Sequence, residues 1–572
     1  MRDFLRDILK DLKCFKWWQT LTITVLVFVV YGMLLFNPVT AYDFNSAKGD
    51  FLHVFLTYFF MHRVVQGIIA GTFHDFSPYW TIYIGLIFLI FAAHLLFILL
   101  KRLQFNSLQA LLGVGLWFSA PFFFNISIYQ HAFPSAPIGF CCDILAVLAF
   151  VELRRRKQSY GRVTLFAILL IGAAISIYQA HACLVFTAFL GILVIERDND
   201  FRALLKDWQL IIVIMASSIT LWFLCSHMPM LMAKAIGIQI PNSGGAHDTV
   251  FWLDGTKTFV ENLKSLFVGL ALNWVYNAFF IVGLRWVLIS LVFCCAIGLV
   301  YCFRKQWTMA ISVFSFMLSV FALPVIQCSF ANLRTHFGFI ALISFTGLLA
   351  VQLFLRRRIL VATIIWLAIL GMAHETSTLY YYNWKVKDHD KLHMSIVAHD
   401  LWMKYGLKLE KPVAIIGGWK HYPTCWEDLR PFRQLPLLSH PFTTYSNMTC
   451  ANTPREFYMV AREKIGLLVP MPDLQMYAKL RSEKKLLEAP AYPMPGYIFE
   501  HDGVIIVNLG KAGSQWGTFH YGDYASPNEK LLERTIGLRR FDQFLLGATS
   551  WFRTLAEDYP WTLTTEPEGI TK

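Results

Sequence analysis

The sequence predicts a polytopic α-helical membrane protein of about eleven transmembrane helices, followed by a C-terminal α/β domain on the outer side of the membrane. Three observations predict it. Of the 572 residues 56% are hydrophobic and only 15% charged, with a mean hydropathy of +0.50, outside the composition of an average soluble globular protein. Apolar stretches of roughly 17–25 residues recur through the first two-thirds, each long enough to cross a hydrocarbon core of about 30 Å at about 1.5 Å per residue. The remainder holds no such stretch and alternates helix-spaced with strand-like segments.

The predicted spans lie near residues 18–36, 79–100, 108–124, 138–153, 163–180, 181–196, 208–226, 283–303, 308–328, 337–355 and 359–374. Short cytoplasmic loops carry the excess of Lys and Arg, and here the basic clusters fall on alternate connections. They are Arg2, Arg6, Lys10, Lys13 and Lys16 before the first span, then Lys101-Arg102, Arg154-Arg155-Arg156-Lys157, Arg197 with Arg202 and Lys206, Arg304-Lys305, and Arg356-Arg357-Arg358. The amino terminus is therefore expected inside and the carboxyl tail outside. The pair of spans over 163–196, joined by "IYQAH", also fits a re-entrant hairpin, which leaves the later parity unchanged. The net charge of +13 is then largely a topology signal with attraction to anionic lipid, and it does not point to nucleic acid. The first apolar core is longer than a signal peptide's and no convincing cleavage site follows it, so it reads as a retained helix.

The expected organisation is a cytoplasmic N-terminus at 1–17, a transmembrane domain at 18–374 with external loops at 37–78 and 227–282, an outer α/β domain at 375–512, and a tail at 513–572 with one amphipathic helix over about 527–556. In the first loop, "FLHVFLTYFFMHRVVQGIIAG" reads as a helix lying in the interface. The second contains a semi-apolar stretch whose apolar face is broken by Glu261, Asn262, Lys264 and Asn273, which disfavours a twelfth span. In the outer domain, "DHDKLHMSIVAHDLWMKYG" has helical spacing and a glycine stop, "KPVAIIGG" reads as a short buried strand, and "TPREFYMVAREKIG" as a helix with a capping-box start. "GYIFEHDGVIIVNLG" reads as a hairpin turned at Asp502-Gly503. No internal repeat is present, which weighs against transporters built from repeated halves.

Most of the eleven cysteines lie in or beside spans; only Cys425 and Cys450 fall in the outer domain, where an oxidising compartment would allow them to form a disulfide. No Cys/His spacing of a zinc site is present, so no metal site is expected. No phosphate loop, dinucleotide fingerprint, nucleophile elbow or H-E-x-x-H occurs, which argues against a nucleotide-driven pump and a hydrolase of those types.

Charged groups at a membrane edge are costly and are candidates for function. Asp43 follows the first span at the outer interface, where a carboxylate can take a proton from a hydroxyl; a solvated loop acid is the alternative. Asp75 in "HDFSP" precedes the second span at the same level, and a helix N-cap with Pro78 in the first turn explains it equally well. Arg63 and His62 lie between these acids and suit a lipid phosphate, or simply snorkel. Arg334 and His336 occupy the short outer turn "FANLRTHFG", where an arginine on the outer side suggests an anion partner. Lys234, His247 and Asp248 are weaker candidates. His131, Asp143, Gln179 and His181 are isolated polar residues near or within spans, the kind that more often join helices by hydrogen bonds.

Three stretches carry a resemblance: "YDFNSAKGD" after the first span, "MHRVVQGIIAGTFHDFSPYW" entering the second, and "SEKKLLEAPAYPMPGYIFEHDGVIIVNLGK" near the C-terminus. With the overall pattern they resemble the bacterial serotype-converting O-antigen glucosyltransferases of the Gtr type, membrane enzymes of the GT-C glycosyltransferase class. The resemblance implies transfer of a hexose, glucose above all, from a polyprenyl-phosphate donor to a lipopolysaccharide O-antigen repeat on the periplasmic face of the inner membrane. It implies Asp43 as general base, Asp75 as second acid, and Arg63, Arg334, His336, His62 and Lys48 as contacts to the phosphate. Phe44 follows Asp43 where the family carries a second acid, so either Asp43 acts alone or Asp75 or Asp50 supplies the other carboxylate. No cofactor is implied, and the need for a divalent cation is left open. Functional partners would be a polyprenyl-phosphate glucosyltransferase and a flippase that deliver the donor. The competing classes are a flippase or transporter of lipid-linked sugars and an O-antigen polymerase.

Overall fold

The computed structural model describes residues 2–36, 51–60, 62–73, 78–123, 132–156, 161–196, 200–228, 284–322, 337–354, 357–418 and, some positions excepted, 457–511. These residues form two compact units, the first ending at Tyr380 and the second beginning at Tyr381.

The first unit is helical. Its elements are α1 (Arg2–Lys13), α2 (Trp17–Tyr31), α3 (Met33–Phe36), α4 (Phe51–Phe60), α5 (Val64–Thr72), α6 (Pro78–Arg102), α7 (Ser107–Ser119), α8 (Ala132–Arg156), α9 (Gly161–Ile177), α10 (Ala180–Glu196), α11 (Phe201–Ser226), α12 (Leu284–Phe303), α13 (Trp307–Ser319), α14 (Gly338–Leu353) and the start of α15 (Arg358–Tyr405). A helix underlies each of the predicted spans. Among the described residues, five stretches, Trp80–Arg102, Phe133–Arg155, Phe201–Ser226, Arg285–Phe303 and Arg358–Tyr381, are long and apolar enough to cross a membrane. α7, α9, α10, α13 and α14 are apolar but shorter, and α1 meets α2 at a bend of 91°. Helices answer the demand that lipid makes of a chain, because each backbone donor and acceptor is paired within its own segment.

α8 is the central helix: 78% of its apolar window is buried, against 22% for α11, which lies at the periphery. On α6, Trp80, Tyr83, Ile87 and Phe91 are exposed at helical spacing and form an apolar stripe of the kind that faces lipid, while Leu86, Leu89, Ala93 and Leu96 are buried. Between lipid-exposed helices contact comes from close packing and interhelical hydrogen bonds. Ser344 Oγ donates to the Gly113 carbonyl at 2.9 Å, and Ser319 Oγ to Thr187 Oγ1 at 3.0 Å. At Gly85 a Cβ would lie 2.2 Å from the ring of Phe133, which is wholly buried and has nowhere to turn. Gly85→Ala is therefore expected to destabilise the unit by about 1–3 kcal/mol, read as a lower midpoint of unfolding in detergent, while Gly161→Ala, where a Cβ meets nothing within 4 Å, leaves the midpoint unchanged.

Two sequence expectations are corrected. The stretch read as one interfacial helix is two helices, α4 and α5, with a turn between them in which His62 takes φ 59° and the Arg63 N–H bonds back to the Tyr58 carbonyl at 2.9 Å. Gly67 permits their approach, since a Cβ there would lie 2.9 Å from the Phe55 carbonyl oxygen. The last span and the helix expected after it are one continuous element, the 48-residue α15, because no glycine or proline interrupts the run from His374 to Tyr405.

In the second unit, β1 (Val413–Gly418), β2 (Ile498–His501) and β3 (Val504–Lys511) form a sheet of order β1-β3-β2, with β1 parallel and β2 antiparallel to β3. The buried strand and the hairpin expected from the sequence are both present, the latter turning at Asp502 (φ 48°) and Gly503 (φ 75°). Alternate residues of β1 and β3 serve opposite faces. Val413, Ile415, Ile505, Val507 and Leu509 pack with Met394, Val397, Ala398 and Leu401 of α15, which recur at helical spacing. Ala414, Ile416, Val504 and Ile506 pack with Leu480 and Leu486 on the other face. α15 stops at Gly406, whose φ of +81° ends the helix as expected. Of "TPREFYMVAREKIG", the described part ends in a single wide turn, Ala461–Ile465, closed by left-handed Gly466. The amphipathic tail, and the loop over 229–283, lie outside the described residues.

The same unit carries a pH-sensitive contact. Tyr497 donates its hydroxyl to Asp400 Oδ2 at 2.7 Å, and burial followed by that bond pushes the phenol well above its usual 10.0. The folded state thus holds the proton more tightly than the unfolded chain. Stability is complete below about pH 10 and falls as the pH rises beyond it. Tyr497→Phe is expected to shallow the alkaline unfolding curve followed by circular dichroism, with Tyr492, also raised by burial, carrying the remainder.

Candidate functional site

The helices of the first unit present two chemically different ends. At one end the basic connections converge. Arg102 at the end of α6 donates from Nη2 to Asp11 Oδ2 at 2.7 Å and lies 3.8 Å from Glu152 of α8. Arg154 at the end of α8 pairs with Glu196 and with Asp207, the latter at 2.8 Å, and Arg155 donates to the Arg102 carbonyl. Three basic clusters that the sequence assigns to one side are thus joined to one another and to α1.

The other end is aromatic. Tyr31, close to the end of α2, donates its hydroxyl to the Phe118 carbonyl at 2.7 Å and meets the Phe123 ring at 5.5 Å. Phe123 packs on Phe140 at 5.0 Å, and Phe140 on Phe337 at 5.4 Å. Around this cluster stand the described polar residues that the sequence singles out. Arg63, in the turn before α5, sets its guanidinium 4.8 Å from the centre of the Tyr178 ring and its Nη1 3.5 Å from Gln66 Oε1. Its turn is anchored twice: the Val65 N–H donates to Ser176 Oγ at 3.1 Å, and Trp222 Nε1 donates to the His62 carbonyl at 3.0 Å. The His62 ring stacks on His227 at 3.7 Å with an interplanar angle of 6°, and His227 in turn stacks on Phe223.

Tyr178 lies in the break between α9 and α10 and touches Phe337 at 5.8 Å. Phe337 directly follows His336 and stands three positions after Arg334. Through one tyrosine ring, Arg63 is therefore linked to the residue that precedes α14, immediately after the second cationic segment in the sequence. A guanidinium resting on an aromatic face keeps its donor edge directed sideways, the geometry suited to a phosphate. His62 and Arg63 are the described members of the predicted site; Asp43, Lys48, Asp75, Arg334, His336, Cys425 and Cys450 lie outside the described residues.

Asp143 and His181 behave as helix-joining groups. His181 Nδ1 donates to Asp143 Oδ2 at 2.5 Å between α8 and α10, with both residues essentially inaccessible. The imidazole lies against Gly139, one turn before Asp143, where a Cβ would come within 2.5 Å of Nε2. Among the described residues, Nε2 has no hydrogen-bond partner. In the second unit, donor atoms of Glu483, His501 and Asp502 lie within 4.8 Å of one another. His501 Nε2 already meets Glu483 at 2.9 Å, and the Lys479 ammonium sits 2.9 Å from Asp502, where it would oppose a cation.

No protein-family model matches the sequence, and no curated protein matches it. Among solved structures the chain is similar to the oligosaccharyltransferase of Archaeoglobus fulgidus crystallised with zinc and sulfate, at a TM-score of 0.34 and 13% identity over 78% of this chain and 67% of that one. The archaeal oligosaccharyltransferase AglB of the same organism, in complex with an inhibitory peptide and a dolichol-phosphate, gives 0.35 and 12% over 79% and 69%. Superpositions this loose assign neither fold nor activity.

The sequence pointed to Arg63 but not to its supports. Tyr178, Ser176 and Phe337 each look like ordinary span residues and Gln66 like an ordinary residue of the interfacial stretch, and only the polar break "SIYQAH" in an otherwise apolar run marks the place. His227 gave no signal, because its role depends on a stack with a residue far away in the chain.

Proposed function

We propose that this chain is a membrane glycosyltransferase that moves a hexose, in our reading glucose, from a polyprenyl-phosphate carrier to a lipopolysaccharide O-antigen repeat on the outer face of the bacterial inner membrane. In this reading it crosses the membrane about eleven times, with its N-terminus cytoplasmic, its aromatic end outermost and residues 375–512 periplasmic. The observation that carries the reading is the Arg63 guanidinium seated on Tyr178, whose ring also meets Phe337 beside the Arg334–His336 segment. The sequence resemblance supplies the substrates.

In the proposed reaction the acceptor hydroxyl gives its proton to the Asp43 carboxylate while its oxygen bonds to the anomeric carbon of the hexose. The bond from that carbon to the phosphate oxygen breaks, and polyprenyl phosphate departs with the electron pair. Arg63, Arg334 and His336, with Lys48 and His62 nearby in sequence to the acids, balance the charge of the leaving phosphate, and Asp75 acts as the second acid. Cys425 and Cys450 would close a disulfide in the periplasm. A polyprenyl-phosphate glucosyltransferase and a flippase would deliver the donor.

One observation favours a transporter instead: the Asp143–His181 pair is ionisable and buried within the helices. The deciding experiment compares O-antigen sugar composition and linkage in cells with the gene, without it, and carrying Asp43→Asn. A side-chain hexose present only with the intact gene is expected. Identical polysaccharide in all three, with lipid-linked sugar accumulating on one face, would make the chain a transporter.

A further inference from the structure

A cavity of about 380 Å³ opens at the charged end of the first unit, in the angle where α1 turns through 91° into α2. Its polar wall is Lys16, Lys101, Arg102, Asp11, Gln19 and Ser107. Its floor is apolar, formed by Phe15, Phe97 and Ile98, with Phe15 and Phe97 rings 5.0 Å apart. The wall is built rather than incidental. Gln19 is buried, accepts from the Lys16 N–H at 3.0 Å and donates to Ser107 Oγ at 3.2 Å, so the start of α2 is tied to the start of α7.

The charges do not cancel. Arg102 is engaged by Asp11 and Glu152, whereas Lys16 and Lys101 form no ion pair among the described residues. Two ammonium groups are thus left facing a cavity that has a hydroxyl on one side and hydrocarbon beneath. The setting is a membrane surface: α1 buries Phe4 and Ile8 while its basic residues lie outward, and Trp17 and Trp18 at the bend are exposed as interfacial aromatic residues are.

We infer that this cavity is a binding site for the headgroup of an anionic phospholipid, with the phosphate between Lys16 and Lys101 and the glycerol and first acyl carbons over Phe15, Phe97 and Ile98. The shared chemistry is a phosphate anion, and a free phosphate is the other possible source; the apolar floor favours the lipid, because inorganic phosphate has nothing to place there. The site lies at the opposite end of the helices from the Arg63 cluster and does not depend on the transfer reaction.

The test uses the full-length protein in non-ionic detergent, observed by native mass spectrometry with equal amounts of phosphatidylglycerol and phosphatidylcholine. One phosphatidylglycerol is expected to be retained in preference. Lys16→Gln with Lys101→Gln is expected to weaken that preference about 30-fold, at about fivefold for each lysine near an anionic headgroup. Lys16→Arg with Lys101→Arg keeps it, which separates loss of charge from loss of fold. Equal retention of the two lipids, an unchanged preference in the glutamine variant, or displacement of the lipid by inorganic phosphate at matched concentration each overturns the inference.

Discussion

Asp43→Asn is expected to lower hexose transfer about 10²–10⁴-fold without lowering the amount of folded protein in the membrane. The amide keeps the shape and the hydrogen-bonding reach of the carboxylate but cannot accept the hydroxyl proton, so the loss should appear in turnover while donor binding persists. The measurement is transfer from a polyprenyl-phosphate hexose to O-antigen in membrane vesicles, alongside binding of the donor. Asp75→Asn and Asp75→Ala separate the roles further: a second acid in the reaction loses turnover in both, whereas a helix cap is kept by asparagine and costs about 0.5–2 kcal/mol of stability only in the alanine variant, with turnover per folded molecule intact. Full activity of Asp43→Asn would remove it as the base.

The second large effect is structural. Asp143→Ala leaves the His181 imidazole among Phe140, Phe337 and Gly139 without its bond, and His181→Ala leaves the Asp143 carboxylate buried without its own. Each single change is expected to destabilise the first unit by about 3–5 kcal/mol, because a buried polar or charged group is stranded. Asp143→Leu with His181→Met, which removes both groups and fills most of the volume, is expected to cost less than either single change. Unfolding in detergent of the parent protein, Asp143→Leu, His181→Met and the double variant, assembled as a double-mutant cycle, reads the coupling directly, with the alanine variants measured beside them. A double variant as damaged as the sum of the singles would mean that the two residues act independently. If the pair instead relays protons for a transporter, the stable double variant loses function as well.

Helices were legible in the sequence where one physical constraint dominates. A run of apolar residues in lipid has only one local solution for its backbone, so all predicted spans fall on helices, and the buried strands of β1 and β3 announced themselves as "VAII" and "VIIV". Arg63 was legible because a cation at a membrane edge is costly. What joins the site was not. The cation–π contact with Tyr178 and the stack of His62 on His227 depend on how helices pack, and packing leaves no periodic trace in a chain that is apolar on every side. The break of the interfacial stretch into α4 and α5 escaped for a related reason: neither glycine nor proline stands at the turn, and His62 adopts the left-handed conformation without one. The unbroken α15 was hidden by a change of composition, from apolar to charged near Lys385, that alters the surroundings of the helix without stopping it.

The ion pairs at the charged end carry a consequence for the order of events during synthesis. Arg154 pairs with Asp207, 53 residues later in the chain, and with Glu196 between them. At about 5–20 residues per second the acids emerge roughly 3–10 s after the arginine. In the proposed topology Arg154 is, during that interval, a positive charge not yet paired with those acids, of the kind that holds the trailing end of a helix on the cytoplasmic side. Once α10 and α11 are in place, the same guanidinium contacts Glu196 and Asp207. One side chain thus serves first as an address during insertion and afterwards as a clasp between helices.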